Sequence, residues 1–328
     1  MQKTFFRSRT LALAFLPLAM SLLAPVAMAQ TGAALLVKPW PETNQVFEGA
    51  ANSYFNTAGH IKESNNPFQL FEYESVGRFR IIPGNEISPR IGYDMKFFDN
   101  HTHNRQIPDQ LSDESVALGT GIAKSEDWLF GITLGVGYAG SSAFDNGAGW
   151  YGKADLVIAR EMSDTDALGI IIDYDGHRTY LPDFPLTGFG YSHRFDPALQ
   201  MVLGIPYSSI DWKPIKNVEV HGEYDLLTDM RINVGYEFVK HWIVYTRYDY
   251  ERDAFSVSGL GKDHRLLFFD RRAEVGVRFA PDQHLALKLG IGYSWGGDFT
   301  SGFDFRSDNR LADFSDTPYL RGGLELRY

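Results

Sequence analysis

The 328-residue chain contains no cysteine. Disulfides, thiolate metal sites and thiol nucleophiles are therefore excluded. It has no basic excess either: 31 Lys and Arg stand against 41 Asp and Glu, a formal charge of −10. A nucleic-acid partner needs a basic stripe, so that class is excluded too. Beyond residue 29 no apolar run approaches the ~20 residues of a membrane helix. The H-E-x-x-H, P-loop and dinucleotide patterns are missing. No sustained helical period, tandem repeat or low-complexity tract is present, and one domain is the economical reading. No motif calls for a cofactor or a metal. Asp173-Tyr-Asp175-Gly176 matches only part of a calcium loop and reads better as the end of a strand entering a turn.

What the chain does have is aromatics, glycine and alternation. Aromatics make up 14% of the residues, with 24 Phe, 17 Tyr and 32 Gly. That mixture suits strands joined by turns. From residue 69 onward apolar and polar side chains repeatedly take turns. Phe71, Tyr73 and Phe79 oppose Glu72, Glu74, Arg78 and Arg80. Ile91, Tyr93, Met95 and Phe97 oppose Asp94 and Lys96; Trp128 to Tyr138 opposes a face of Gly, Thr and Ala. Ile232, Val234, Tyr236 and Phe238 oppose Arg231 and Glu237, and the segment after Trp242 sets Arg247 and Asp249 on one parity. Val275 and Val277 oppose Arg272, Glu274 and Arg278; Leu287, Leu289 and Ile291 oppose Lys288. Period two places each set on its own face of a sheet. The mean hydropathy of −0.23 is compatible with this, because only alternate residues need be apolar.

The two ends carry address signals. Lys3, Arg7 and Arg9 precede an apolar stretch from Leu11 to Leu23, and Ala27-Met28-Ala29 offers a small-x-small cleavage pattern before Gln30. Residues 1–29 are expected to be a cleaved signal peptide, with Ala27 and Ala29 as the cleavage determinants, in preference to an uncleaved anchor. Their loss would take the formal charge from −10 to −13, since three positive residues go. At the other end Leu320, Gly322, Leu324, Leu326 and the terminal Tyr328 share one parity, against Arg321, Glu325 and Arg327. This segment resembles the C-terminal β-signal of bacterial outer-membrane proteins, which the barrel-assembly machinery reads. The whole 69–328 span is similar to porin-like outer-membrane β-barrels of Gram-negative bacteria.

The resemblance implies an all-β fold: a closed antiparallel transmembrane barrel with short periplasmic turns and long extracellular loops. Fourteen strands is the count the pattern favours, with twelve to sixteen compatible. Runs of about ten residues, tilted near 45°, cover the apolar band of an outer membrane. Aromatics such as Trp128, Trp242, Tyr293 and Trp295 gather at strand ends, as interfacial girdles do; in a soluble sandwich they would be core. Short connections at 124–127, 239–241 and 280–283 alternate with longer ones at 99–113, 141–149, 252–265 and 296–316. Two stretches resist this reading. Residues 177–216 hold Pro182, Pro185, Pro197, Pro206 and Pro214 and read as one long loop or an extra hairpin. Residues 30–68 alternate poorly and read as a periplasmic tail, a lumen plug or an opening strand. The implied partners are outer-membrane lipid, lipopolysaccharide and the assembly machinery. An oligomer is compatible with the sequence; nucleic acid is not.

Function would lie on the face away from lipid. Glu72, Glu74, Arg78, Arg80, Asp94, Lys96, Arg231, Glu237, Arg247, Asp249, Arg272, Glu274, Arg278, Lys288, Arg321 and Glu325 are the expected lumen-lining charges. A wet lumen tolerates them and lets them bias passing ions. A dry one tolerates them only as paired networks that hold the barrel closed. The leading expectation is a passive, non-enzymatic porin-like channel for small hydrophilic solutes. One alternative is an outer-membrane lipid hydrolase with a Ser/His site on the wall, for which His221 and the Gly190–Arg194 segment are the candidates. Chance spacing among nine His and many Ser explains these much better. The other alternative is a plugged barrel acting as scaffold or adhesin.

Overall fold

The computed structural model describes residues 31–328 except 38–39, 41–43, 57–58, 86, 103, 105, 126, 142–143, 145–146, 226–227 and 261–263. The expected cleavage residues Ala27 and Ala29 lie outside the described residues. The strands are β1 (Phe47–Asn56), β2 (Gly59–His60), β3 (Pro67–Arg80), β4 (Arg90–His101), β5 (Gln110–Ser125), β6 (Trp128–Gly140), β7 (Trp150–Glu161), β8 (Asp166–Asp175) and β9 (Leu186–Asp196). They continue as β10 (Leu199–Ile205), β11 (Tyr207–Trp212), β12 (Val218–Asp225), β13 (Asp229–Val239), β14 (Trp242–Phe255), β15 (Arg265–Phe279), β16 (Leu285–Gly302), β17 (Asn309–Asp313) and β18 (Thr317–Arg327). A four-residue helix, α1 (Ala34–Val37), precedes them. No helix among the described residues is long and apolar enough to cross a membrane.

Neighbouring strands pair antiparallel in chain order, and β1 closes the ring by pairing with both β3 and β18. Ala51, for example, lies between Ser75 and Leu324. The short β2 and β17 add edges beyond the wall, so the barrel has sixteen strands, not fourteen. The difference arises in the proline-rich stretch, which holds β9, β10 and β11. Its prolines fall between strands: Pro182 and Pro185 before β9, Pro197 and Pro206 in turns, Pro214 after β11. None is asked to donate to a ladder, so none breaks one. The wall also takes in residues ahead of the 69–328 span. In β1 the outward face carries Gly49, Ala51 and Ser53, which give little apolar signal. Neighbouring rings supply the missing bulk: a Cβ on Gly49 would meet Phe47 at 2.7 Å and Tyr93 at 3.3 Å.

The register fixes the two faces. Ile91, Val116, Leu118, Leu134, Val136, Leu289, Ile291 and Leu320 are exposed on the outside, while Glu72, Arg78, Arg272 and Arg321 are buried on the inside. An apolar outer band on a closed sheet satisfies every backbone group without water, which is what a bilayer demands. Tyr138 lies on the outward parity but is fully buried, covered by Phe144 and Trp150 with ring centroids at 5.1 and 5.6 Å. A charge placed in the middle of the outer band should be costly. Leu289→Arg is expected to lose roughly 2–4 kcal/mol of folding free energy in bilayers. Urea titration of barrel folding into vesicles would show it, and an unchanged midpoint would contradict the outward assignment of this face.

The wall is uneven. Strands β15 and β16 have 15 and 18 residues, and β10, β11 and β12 only 7, 6 and 8. Several tall strands run past the membrane into an apolar cluster near the extracellular end. Phe68, Phe98, Leu111, Phe255, Phe268, Phe299 and Phe314 are among its members. Phe68 and Phe314 stack at 4.0 Å.

Candidate functional site

The lumen holds three layers. At mid-height is a belt of ion pairs contributed mainly by β1, β3, β4 and β13–β18. Arg272 bonds Glu72 across three intervening strands and Asp270 at 2.8 Å, with Glu251 at 3.9 Å. Lys96 bonds Glu251 and lies 2.7 Å from Asp253, which joins β4 to the far strand β14. Arg231 and Arg247 share Asp249, the first at 2.8 Å. Arg321 donates to Glu274 at 3.1 Å and to Asn52 at 2.7 Å; Asn52 in turn donates to Glu74 at 2.7 Å. Toward the periplasmic end Arg78 pairs with Glu48 at 2.8 Å, and Glu325 takes both Arg278, at 2.9 Å, and Lys288. Asp94 faces inward and is half-buried; Glu237 accepts from the His241 amide at 3.1 Å. Glu72, Glu74 and Glu251 bring three carboxylate oxygens within 4.8 Å of one another, but Arg272 and Lys96 already bond two of them. The chain's own cations serve this cluster.

The second layer is the N-terminal segment. Thr31 is fully buried; its hydroxyl lies 3.1 Å from Ser115 Oγ, and Lys153 Nζ donates to it at 3.1 Å. Arg90 donates to the carbonyls of Leu35 and Leu36 at 3.0 and 2.5 Å. The two leucines rest on Gly119 and Gly131, where an added Cβ would come within 3.0 and 2.8 Å of them. Arg78 and Arg80 sit over the Trp40 ring at 4.1 and 4.6 Å. Arg80 also donates to the Gln45 carbonyl at 2.8 Å. The chain thus lies inside the barrel against β3–β7 before becoming β1.

The third layer closes the extracellular mouth. The 176–185 connection reaches across to β15, seven strands away around the ring. Arg265 donates to the carbonyls of His177, Arg178 and Phe303 at 2.8, 2.9 and 2.9 Å. The Phe305 amide donates to Thr179 O at 3.3 Å, and Tyr180 stacks on Phe305 at 5.3 Å. Ser256 bridges to β6 through Ala139 O at 3.1 Å. Within the loop, burial works against the Asp304 carboxylate, but bonds from Arg306 prevail and hold it below the ordinary carboxylate range.

These layers leave one side unfilled. Strands β10 and β11 contain no buried residue, and inward Arg194, Gln200, Ser209 and Asp211 are half-exposed. His221 faces the same space with both ring nitrogens engaged, Nδ1 to Asp211 at 2.6 Å and Nε2 to Glu223 at 2.8 Å. Neither nitrogen is free to take a proton from a serine. In the Gly190–Arg194 segment Ser192 faces inward and His193 outward, where His193 pairs with Asp166 at 2.7 Å. The two never meet.

Charge alternation in the sequence pointed to the belt. It did not point to Thr31, Leu35, Leu36, Trp40, Arg90 or Arg265, because each acts through a long-range contact that no local period encodes. The glycine-rich inner faces of β5 and β6 were the one available signal for the seat beneath the leucines.

A sixteen-strand closed barrel with an apolar outside and a charged inside is an outer-membrane β-barrel, located in the bacterial outer membrane. No family model and no curated protein matches the sequence. Solved structures similar to the chain include a TodX deltaS2S3 mutant monoaromatic hydrocarbon channel, at 10% identity and TM-score 0.42 over 90% of this chain and 94% of that one. The Pseudomonas putida toluene transporter TodX aligns at 10% identity and TM-score 0.41, over 90% and 93%. The translocator domain of autotransporter NalP from Neisseria meningitidis aligns at 8% and 0.34, over 92% and 93%.

Proposed function

We propose that the protein is a porin-like channel for small hydrophilic solutes, passive when open, with a mixed-charge lumen held closed at rest. One observation carries the reading. Sixteen strands enclose a space wide enough for an aqueous channel, and the N-terminal segment occupies part of it, held by side-chain contacts rather than by strand pairing. A wall meant only as a scaffold has no need of an inner face so rich in charge on β1, β3, β4 and β13–β18. A second reading, the plugged scaffold or adhesin, draws on the same segment and on the covered mouth. The lipid-hydrolase alternative gains nothing from His221, whose partners are carboxylates.

Planar-bilayer recording separates the first two. Deleting residues 30–40 spares β1, whereas a longer cut through residue 66 would remove a wall strand. The intact protein is expected to open rarely, and the deletion to give discrete steps with open probability raised about tenfold or more. Silence from both proteins would favour the scaffold.

A further inference from the structure

We infer that solutes pass along the β9–β12 side of the lumen rather than its axis, and that this groove favours small cations over anions. The inference rests on the channel reading and adds the route and the class of solute. On β3, β15 and β18 the inward charges are locked: Glu72, Arg78, Arg272 and Arg321 are at most 3% exposed. Moving anything through them means breaking buried ion pairs, at several kcal/mol each. On the opposite side β10 and β11 carry no buried charge, and His221 with Glu223 on β12 is the one buried pair at the groove's edge among the described residues. The Asp211 side chain is 34% exposed, and Gln200 and Ser209 beside it are half-exposed. Small side chains keep this side roomy: Gly169, Gly190 and Gly204 adjoin one another in register on the inner face of β8, β9 and β10.

The charge balance there is negative. Three inward carboxylates, Asp211, Glu219 and Glu223, face Arg194 and His221, which leaves one negative charge in excess even with the imidazole charged. His221 is held between Asp211 and Glu223 and can offset only one of them. Glu219 accepts no hydrogen bond among the described residues, and Arg278, Lys213 and Lys288 act on its carboxylate only through space. Asp225 at the extracellular lip and Lys213 at the periplasmic lip cancel. In a confined polar passage such an excess raises the local cation concentration and repels anions.

The absence of native cysteine allows single-cysteine labelling of the full-length protein in vesicles. Ser209→Cys reports the groove and Asn52→Cys the packed side; heat-modifiable migration on gels confirms that each variant folds. Each is treated with a cationic and an anionic methanethiosulfonate, with rates normalised to a free small thiol. Ser209→Cys should react at least about threefold faster with the cationic reagent, and Asn52→Cys should be slow with both. Adding Glu219→Gln should narrow the charge preference. Equal labelling of both sites would overturn the route, and equal or faster labelling of Ser209→Cys by the anionic reagent would overturn the cation preference. Labelling does not require conduction. A conducting 30–40 deletion with an anion-preferring groove sinks this inference and leaves the channel standing; a silent deletion sinks the channel and with it the route, whatever charge preference the groove labelling shows.

Discussion

Arg272→Ala should destabilise the barrel by roughly 3–5 kcal/mol, the range for removing one partner from a buried charge network. Arg272 is 3% exposed and is the cation paired with two buried carboxylates: Glu72, fully buried, and Asp270, 2% exposed, which also accepts from Ser294 and the Arg271 amide. Its guanidinium also lies over the Tyr54 ring at 4.7 Å. Truncation leaves both acids buried without their cation. Much of the loss is a desolvation penalty on the survivors, so it should be recoverable. Combining Arg272→Met with Glu72→Gln and Asp270→Asn removes the stranded charges and should restore more than half of the stability. Urea midpoints of folding into vesicles measure both. A single variant within 1 kcal/mol of the parent would mean that water reaches this belt and that its ion pairs are solvated.

Much of this architecture was legible because a barrel wall is a local code. Each strand shows its faces through period two, so Leu287, Leu289 and Ile291 declare the outside and Lys288 the inside without any knowledge of neighbours. Strand number was less legible. Short strands such as β11 offer only Tyr207–Trp212, too few alternations to stand out among prolines. Strand β1 failed for another reason, since Gly49 and Ala51 face outward under rings lent by adjacent residues. The contents of the lumen were hidden altogether. Whether Arg272 meets Glu72 depends on the closing register, two hundred residues apart in sequence. Whether Arg265 reaches the carbonyls of His177 and Arg178 depends on how an extracellular loop folds over the mouth. Sequence shows which residues face inward; their partners come only from ring closure.

Arg265→Ala should open the extracellular mouth. Its guanidinium holds three carbonyls from two loops, and no acidic side chain bonds it among the described residues, so the clasp is made of charge-assisted hydrogen bonds alone. Losing a net of about 2 kcal/mol from these bonds would shift the open-to-closed ratio roughly thirtyfold. Hydrogen exchange at the Leu181 and Phe305 amides, which bond Asp304 and Thr179 across the same seam, should speed up accordingly. Acid should act on the same loop. Burial, aided by the nearby Arg265 charge, pushes the His177 imidazole below its ordinary value and outweighs the pull of Asp113. The closed loop therefore binds fewer protons at His177 than the open one. Its contribution to closure is complete above the free imidazole value of about 6.5 and is lost as pH falls through the depressed value. The opening at Leu181 and Phe305, read as exchange divided by its base-catalysed intrinsic rate, should rise as pH falls from 7.5 to 5 in the parent. It should rise less in His177→Gln, which cannot titrate, and less in Arg265→Ala, where one source of the depression is gone. Opening that is unchanged in Arg265→Ala and flat with pH would mean that the apolar cluster beneath, with Phe255, Phe268 and Phe299, holds the mouth shut by itself.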